Sequence, residues 1–153
     1  MSKMTRREVV VGLSAVAAMG GVVEAQATAA PVGARVLSES RVYLVDQMPE
    51  RKMANGGVSR DVLRGTLTTG ELVGVHESEQ PAGMVPNTPH PIQHTEVMVV
   101  IEGTLAFEHD GKSEKVGPGG VILIASGTVH TVRNVGEGTA RYCVVAVGGD
   151  VKK

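Results

Sequence analysis

Gly119-Gly-Val-Ile-Leu-Ile-Ala-Ser-Gly-Thr-Val-His-Thr-Val-Arg-Asn134 is the stretch whose reading decides the fold. Val121–Ala125 is a short apolar run with two glycines before it and Ser126-Gly127 after it. That length and those flanks suit a strand between turns rather than a helix. Val129 to Asn134 then reads as a second strand, and it carries a histidine, His130. Two short strands joined by a tight link, one of them bearing a metal-competent side chain, set the pattern sought in the rest of the chain.

Upstream the same grammar recurs. Arg41–Val45, Asp61–Thr68, Glu71–Glu77, Val97–His109 and, downstream, Ala140–Val147 are apolar or alternating runs. Turn signals separate them: Thr69-Gly70, Pro81-Ala-Gly83, Gly117-Pro-Gly-Gly120 and Gly136-Glu-Gly138. Asp110-Gly111 between Phe107 and Val116 predicts a two-residue hairpin, because both central positions of that turn require φ > 0. No stretch beyond the N-terminal segment keeps a helical period over three turns. The fold class read from this is all-β, a sandwich or closed barrel, in one domain of a 153-residue chain.

The chemistry concentrates just before the Val97 run. His90-Pro-Ile-Gln-His94-Thr-Glu96 holds two of the five histidines and a carboxylate in seven residues. Imidazole with carboxylate suits a divalent transition metal such as Fe, Mn, Zn or Ni. Glu96 is followed by six residues and Gly103. With Gly119, Gly127, His130 and Asn134, these positions resemble the two motifs of the cupin superfamily, over about residues 60–148. The resemblance implies a small jelly-roll β-barrel with a metal held by His90, Glu96 and His130. It further implies a homodimer formed through apolar outer strand faces. Two positions depart from the pattern. Ala125 stands where the family has proline, which bears on turn stiffness. Ile92 stands where the first motif has its second histidine.

Elementary geometry bears on that gap. A straight strand from His90 to Glu96 would span about 20 Å at ~3.3 Å per residue. The two cannot share an ion unless the chain turns between them, and Pro91 is placed to break the strand. Beyond such a turn, His94 and Glu96 are two apart and share a face. His94 is then either the fourth ligand or a group that contacts ligands or substrate; without it, a three-residue site keeps open positions for water. His76, Met84, Met98 and Tyr142 are weaker candidates for the lining of a substrate pocket. His109, before the hairpin turn, is expected in solvent. Glu102 is expected on the surface, and Asn134 is expected to satisfy buried backbone groups. Arg141 and Tyr142 alternate, so only one can face inward. Cys143, the only thiol, can form no internal disulfide and is expected as a buried small hydrophobe.

The N-terminus completes the organisation. Arg6-Arg7 precede an apolar run from Val9 to Val23, too short to span a bilayer comfortably at about 20 residues per span. Ala25-Gln26-Ala27 ends it as a cleavage site. Thr5-Arg-Arg-Glu-Val-Val10 resembles a twin-arginine signal, which implies export of the folded protein to the periplasm or beyond. The domain plan is 1–27 signal, 28–57 arm with a first strand, and 58–150 barrel, with no stable membrane anchor. Formal net charge is −1, without a basic stripe, and there is no Trp, one Phe and two Tyr. Nucleic acid, which needs cationic or stacking surfaces, is excluded as a partner. The functional expectation is a metal-dependent enzyme acting on a small organic molecule, dioxygenase-type chemistry first. The alternative is a cupin that captures a metal or small ligand without turnover.

Overall fold

The computed structural model describes residues 35–151; the export segment expected over 1–27 lies outside them. The strands are β1 (Val36–Leu37), β2 (Glu50–Lys52), β3 (Val58–Leu67), β4 (Leu72–Gln80), β5 (His90–Pro91), β6 (Thr95–Glu102), β7 (Leu105–His109), β8 (Lys112–Val116), β9 (Val121–Ile124), β10 (Val129–Asn134) and β11 (Ala140–Val147). One sheet runs β1-β3-β4-β11-β6-β9, with β2 also on β3; the other runs β5-β10-β7-β8. Among the described residues no ladder joins the two sheets. The molecule is a jelly-roll-like β-sandwich, and this corrects the expectation of a closed barrel. The cause lies in the stretch that opened the sequence analysis. The short link after Ile124 carries the chain from the edge of one sheet into the middle of the other, so it bridges the layers without extending a ladder.

Alternation decides what fills the sandwich. From the large sheet, Met98, Val100, Ile122, Ile124, Tyr142 and Val144 point inward against Leu105 and Phe107 of the small one. Leu105 and Ile124 are wholly excluded from solvent. The intervening residues face outward: Val99 pairs with Val121, Val97 with Leu123, and Val99, Val121 and Leu123 are exposed. Cys143 belongs to this outer parity, opposite Glu77 and Val99. It is half-buried rather than a core residue, which corrects its expected place; partial burial and the Glu77 carboxylate raise its thiol pKa.

The predicted hairpin forms at Asp110-Gly111, with φ of 46° and 74° and His109 opposite Lys112. Arg41–Val45 does not form the expected strand. Val45–Gln47 is a 3-10 turn, and Val42 and Leu44 are exposed. An apolar run becomes a strand only where a ladder accepts its backbone, and among the described residues nothing pairs with this one.

Candidate functional site

The turn required between His90 and Glu96 is present, and it moves the chain between layers. His90 lies on β5 in the small sheet, opposite His130 of β10. Glu96 lies on β6 in the large sheet, opposite Ala146 and Ile124. Ile92 sits in the crossing. Its side chain joins the core and its carbonyl accepts a hydrogen bond of 2.7 Å from Gly127 N–H. The position where the motif would carry an imidazole is therefore spent on packing and on tying the two motif loops together.

His94 shares Glu96's side of the strand. Its Nε2 is 2.9 Å from Glu96 Oε1 and its Nδ1 is 2.6 Å from Asp150 Oδ1. Each ring nitrogen thus faces a carboxylate. Burial works against a charge on the ring, but hydrogen bonds to Glu96 and Asp150 outweigh it and hold His94 above its ordinary pKa. Asp150 reaches this place because the chain after β11 reverses at Gly148-Gly149. Gly149 has a φ of 53°, and a Cβ there would collide with the Gln93 carbonyl.

On the facing sheet, the His90 and His130 rings stand 5.3 Å apart, and Phe107 lies 6.0 Å from His130. Each imidazole is oriented locally: His90 Nδ1 meets the Thr88 carbonyl and His130 Nδ1 the Thr128 carbonyl, both at 3.1 Å. If Nδ1 donates, Nε2 is left as the acceptor or ligand nitrogen in both rings.

Two hollows lie between the layers. The outer, of about 450 Å³, is lined by Arg64, Gly74, His76, His90, His94, Glu96, Ala146, Asp150 and Val151 among others. The inner, of about 240 Å³, includes His76, Met84, His90, Glu96, Met98 and Tyr142. They share His76, His90 and Glu96. His76, Met84, Met98 and Tyr142 thus line one space, as the weaker candidates of the sequence. Burial lowers the pKa of His76, against the pull of Glu96 and Asp61, which favours the neutral imidazole. Burial raises the pKa of Tyr142, and Gln80 Nε2 donates to its hydroxyl at 2.9 Å. His109 is not fully solvated: it stacks on Phe107 at 4.3 Å and bonds Glu114 at 2.8 Å.

The donor types fit a divalent transition ion. As placed, they form two pairs, His94 with Glu96 and His90 with His130. Among the described residues no three His, Cys, Asp or Glu side chains stand together as a group able to hold an ion.

Asn134 does what the sequence suggested. Its Nδ2 donates to the carbonyls of Gln80 and Gly138, both at 2.7 Å, and its Oδ1 accepts from Gly136 N–H at 2.9 Å. Gln80 was not singled out by sequence reasoning, and neither were Arg64 or Asp150. Gln80 carries no pattern of its own. Asp150 lies beyond the last strand. Arg64 is put out of simple alternation by a bulge between Asp61 and Leu63.

A two-layer β-sandwich with imidazoles and a carboxylate converging on an interior hollow defines the class. Residues 75–147, a little under half of the chain, match the cupin domain model. Solved structures share the fold. An RmlC-like cupin from Shewanella frigidimarina matches with a TM-score of 0.62 at 13% identity, over 74% of this chain and 95% of that one. A sugar phosphate isomerase of the cupin superfamily from Silicibacter pomeroyi gives 0.57 at 17%, over 69% and 74%. A protein described as a predicted oxalate decarboxylase, from Thermotoga maritima, gives 0.53 at 16%, over 70% and 98%. No match to the sequence was found among curated proteins. The superfamily contains both enzymes and non-catalytic proteins, and its members commonly bind a metal.

Proposed function

We propose that this chain is an exported cupin that binds one divalent transition metal through His90, His94, Glu96 and His130 and acts as an enzyme on a small organic molecule. One observation carries the reading: the imidazole pair of the small sheet and the His94–Glu96 pair of the large sheet belong to segments that the crossing at Ile92 and the Gly127–Ile92 bond fasten together. A bound ion would supply Lewis-acid polarisation of a substrate oxygen or a more acidic bound water. The chain's own part is clearer. The Thr128 and Thr88 carbonyls fix two ring orientations. Asp150 retains the Nδ1 proton of His94, so that Nε2 can give up its proton and become a donor. His76, shared by both hollows and favoured in its neutral form by burial, is the group placed to accept a proton from a ligand.

Metal analysis of protein purified without chelator tests the reading. We expect close to one ion per chain, and loss of most of it in His130→Ala. Well under one ion in the native protein, unchanged by that substitution, would end the metal reading. Dioxygen uptake across catechols, diketones and thiols is the first activity to measure. The competing reading, capture without turnover, draws on Tyr142: its hydroxyl is already engaged by Gln80, which leaves His76 as the acid–base candidate besides the ligands among the described residues that the sequence singled out. Export is proposed from the twin-arginine resemblance, and replacing Arg6 and Arg7 by Lys should leave precursor in the cytoplasm. A homodimer is proposed through the outer face bearing Val99, Val121 and Leu123; Leu123→Lys should then yield a monomer by light scattering.

A further inference from the structure

The inner hollow owes one wall to strand register. Arg51 of β2 lies opposite Ser59 of β3, Ser59 opposite Ser78 of β4, and Ser78 opposite Tyr142 of β11. Residues directly opposite on neighbouring strands share a face, and all four line the hollow. A guanidinium and three hydroxyls therefore stand in one row, at about 4.8 Å per strand. Met84, Met98, Val132 and Val144 make an apolar wall, and about 240 Å³ stays open within.

The partners of the row fix where its protons point. The Asn134 backbone N–H donates to Gln80 Oε1 at 3.0 Å, so the amide turns its Nε2 toward Tyr142. That Nε2 donates to the Tyr142 hydroxyl at 2.9 Å and to the Val132 carbonyl at 3.3 Å. Tyr142 accepts from Gln80, and its own O–H is left for another partner. Burial holds the phenol above its ordinary pKa, so the proton stays on it. Ser78 bonds the same hydroxyl. One bond between two hydroxyls uses one of their two protons, and the other remains to be donated.

Arg51, at the outer end of the row, has its charge to spare. Its acidic neighbours are taken: Glu50 and Glu79 both bind Arg60, at 2.9 and 2.6 Å. Among the described residues the Arg51 guanidinium is left without an acidic partner, and its charge is felt at His76, deeper in the hollow. Glu96 also reaches this space, but it is bound to His94 and stands on β6, four strands from β2. That is roughly 19 Å of backbone.

We propose that the inner hollow takes short hydroxy or keto acids, with the ligand carboxylate on Arg51 and the second oxygen on the Ser78 and Tyr142 hydroxyls. The guanidinium fork matches a carboxylate in two parallel hydrogen bonds. The hydroxyl pair has a proton to give to a carbonyl or hydroxyl oxygen, and the methionine and valine wall covers the carbon chain between. This rests on the reading of the interior as the space that holds a ligand, and not on the ion, because Arg51 itself supplies the balancing charge.

The test is ligand-observed NMR with pyruvate, 3-hydroxybutyrate and levulinate as probes, butyrate as the acid without a second oxygen, and methyl levulinate as the uncharged control. At least one oxygenated acid should bind in the millimolar range or better, and more tightly than butyrate or the ester. Arg51→Met should weaken it about ten-fold or more, Arg51→Lys less. Tyr142→Phe and, as a smaller change, Ser78→Ala should each take about five-fold from the preference over butyrate. No oxygenated acid bound, binding unchanged in Arg51→Met, or a preference intact in both hydroxyl variants overturns the proposal. The measurements are made on protein as purified and after chelation, with metal content determined on both. Equal binding in the two supports the proposal, whereas binding lost on chelation assigns recognition to the ion and overturns it. Well under one ion per chain with acid binding intact ends the metal reading alone.

Discussion

His130 and Asn134 sit four residues apart on β10, both inward-facing and both nearly excluded from solvent, at 5% and 6% exposure. At Asn134 every side-chain polar group is spent on the protein. It binds the Gln80 and Gly138 carbonyls and the Gly136 N–H, while Gln80 Oε1 accepts from the Asn134 backbone N–H at 3.0 Å. At His130 only Nδ1 has a partner among the described residues, and the ring lies beside His90. The same strand at the same depth thus has a closed polar end and an open one. Burial alone does not mark function; at the same depth one side chain spends all its polar groups on its own chain and the other does not.

Substituting at each end breaks this comparison apart. Asn134→Ala leaves two carbonyls and one N–H without their partner, and each such group costs about 1–3 kcal/mol. We expect a loss of at least ~3 kcal/mol by denaturant unfolding, with normal metal content in the fraction that folds. His130→Ala should do the reverse, emptying the metal site with a much smaller change in the stability of the metal-free protein. Equal effects of the two on both readouts would erase the distinction.

Ile92 lies just past the His130 end, next to Pro91, which pairs with Val129. Ile92→Ala removes a core side chain that also positions the Gly127 loop, and should cost about 2–4 kcal/mol. Ile92→His, which restores the motif histidine, is expected to destabilise as well, because an imidazole at this core position needs a partner. A stable Ile92→His variant with tighter metal binding would place Ile92 in the site rather than in the packing.

Smaller effects are expected at the rim. Asp150→Asn keeps the shape but weakens the hold on the His94 Nδ1–H, and metal affinity should fall about ten-fold with the fold intact. Competition with a chromogenic chelator reads this directly. At the far hairpin, Glu114 first and Asp110 second raise the His109 pKa, and His109 in turn lowers that of Glu114. A raised histidine pKa gives stability that is complete below the unfolded value near 6.5 and is lost as pH rises through the folded value. The lowered Glu114 pKa adds stability above about 4.3 that is lost as pH falls through the folded value. The Tm difference between wild type and His109→Gln should therefore be widest between about pH 4.5 and 6.5 and close at higher pH. A gap that widens above pH 7 would contradict the pairing.

Much of the fold was legible because period-2 alternation and turn chemistry are local. Val129–Asn134 and Ala140–Val147 form strands at the bounds read from the sequence, and Asp110-Gly111 turns as its φ requirement dictates. Where local signals stand alone they mislead. Arg41–Val45 has strand composition but no ladder to join, and Cys143 has apolar neighbours but the outward parity.

The sequence by itself determined the set of short strands, the inward parity that places His130 and Asn134 on one face, and the need for a break between His90 and Glu96. These follow from the geometry of an extended chain. Only the tertiary structure decided how that break is used. It carries the chain across the layers, buries Ile92 in the core and brings a residue 56 positions away, Asp150, onto His94. It also lined up Arg64, Gly74, Ala146 and Glu96 from four strands. Cross-strand neighbours are fixed by register and bulges. Those depend on the packing of the whole sandwich and leave no mark in any one segment.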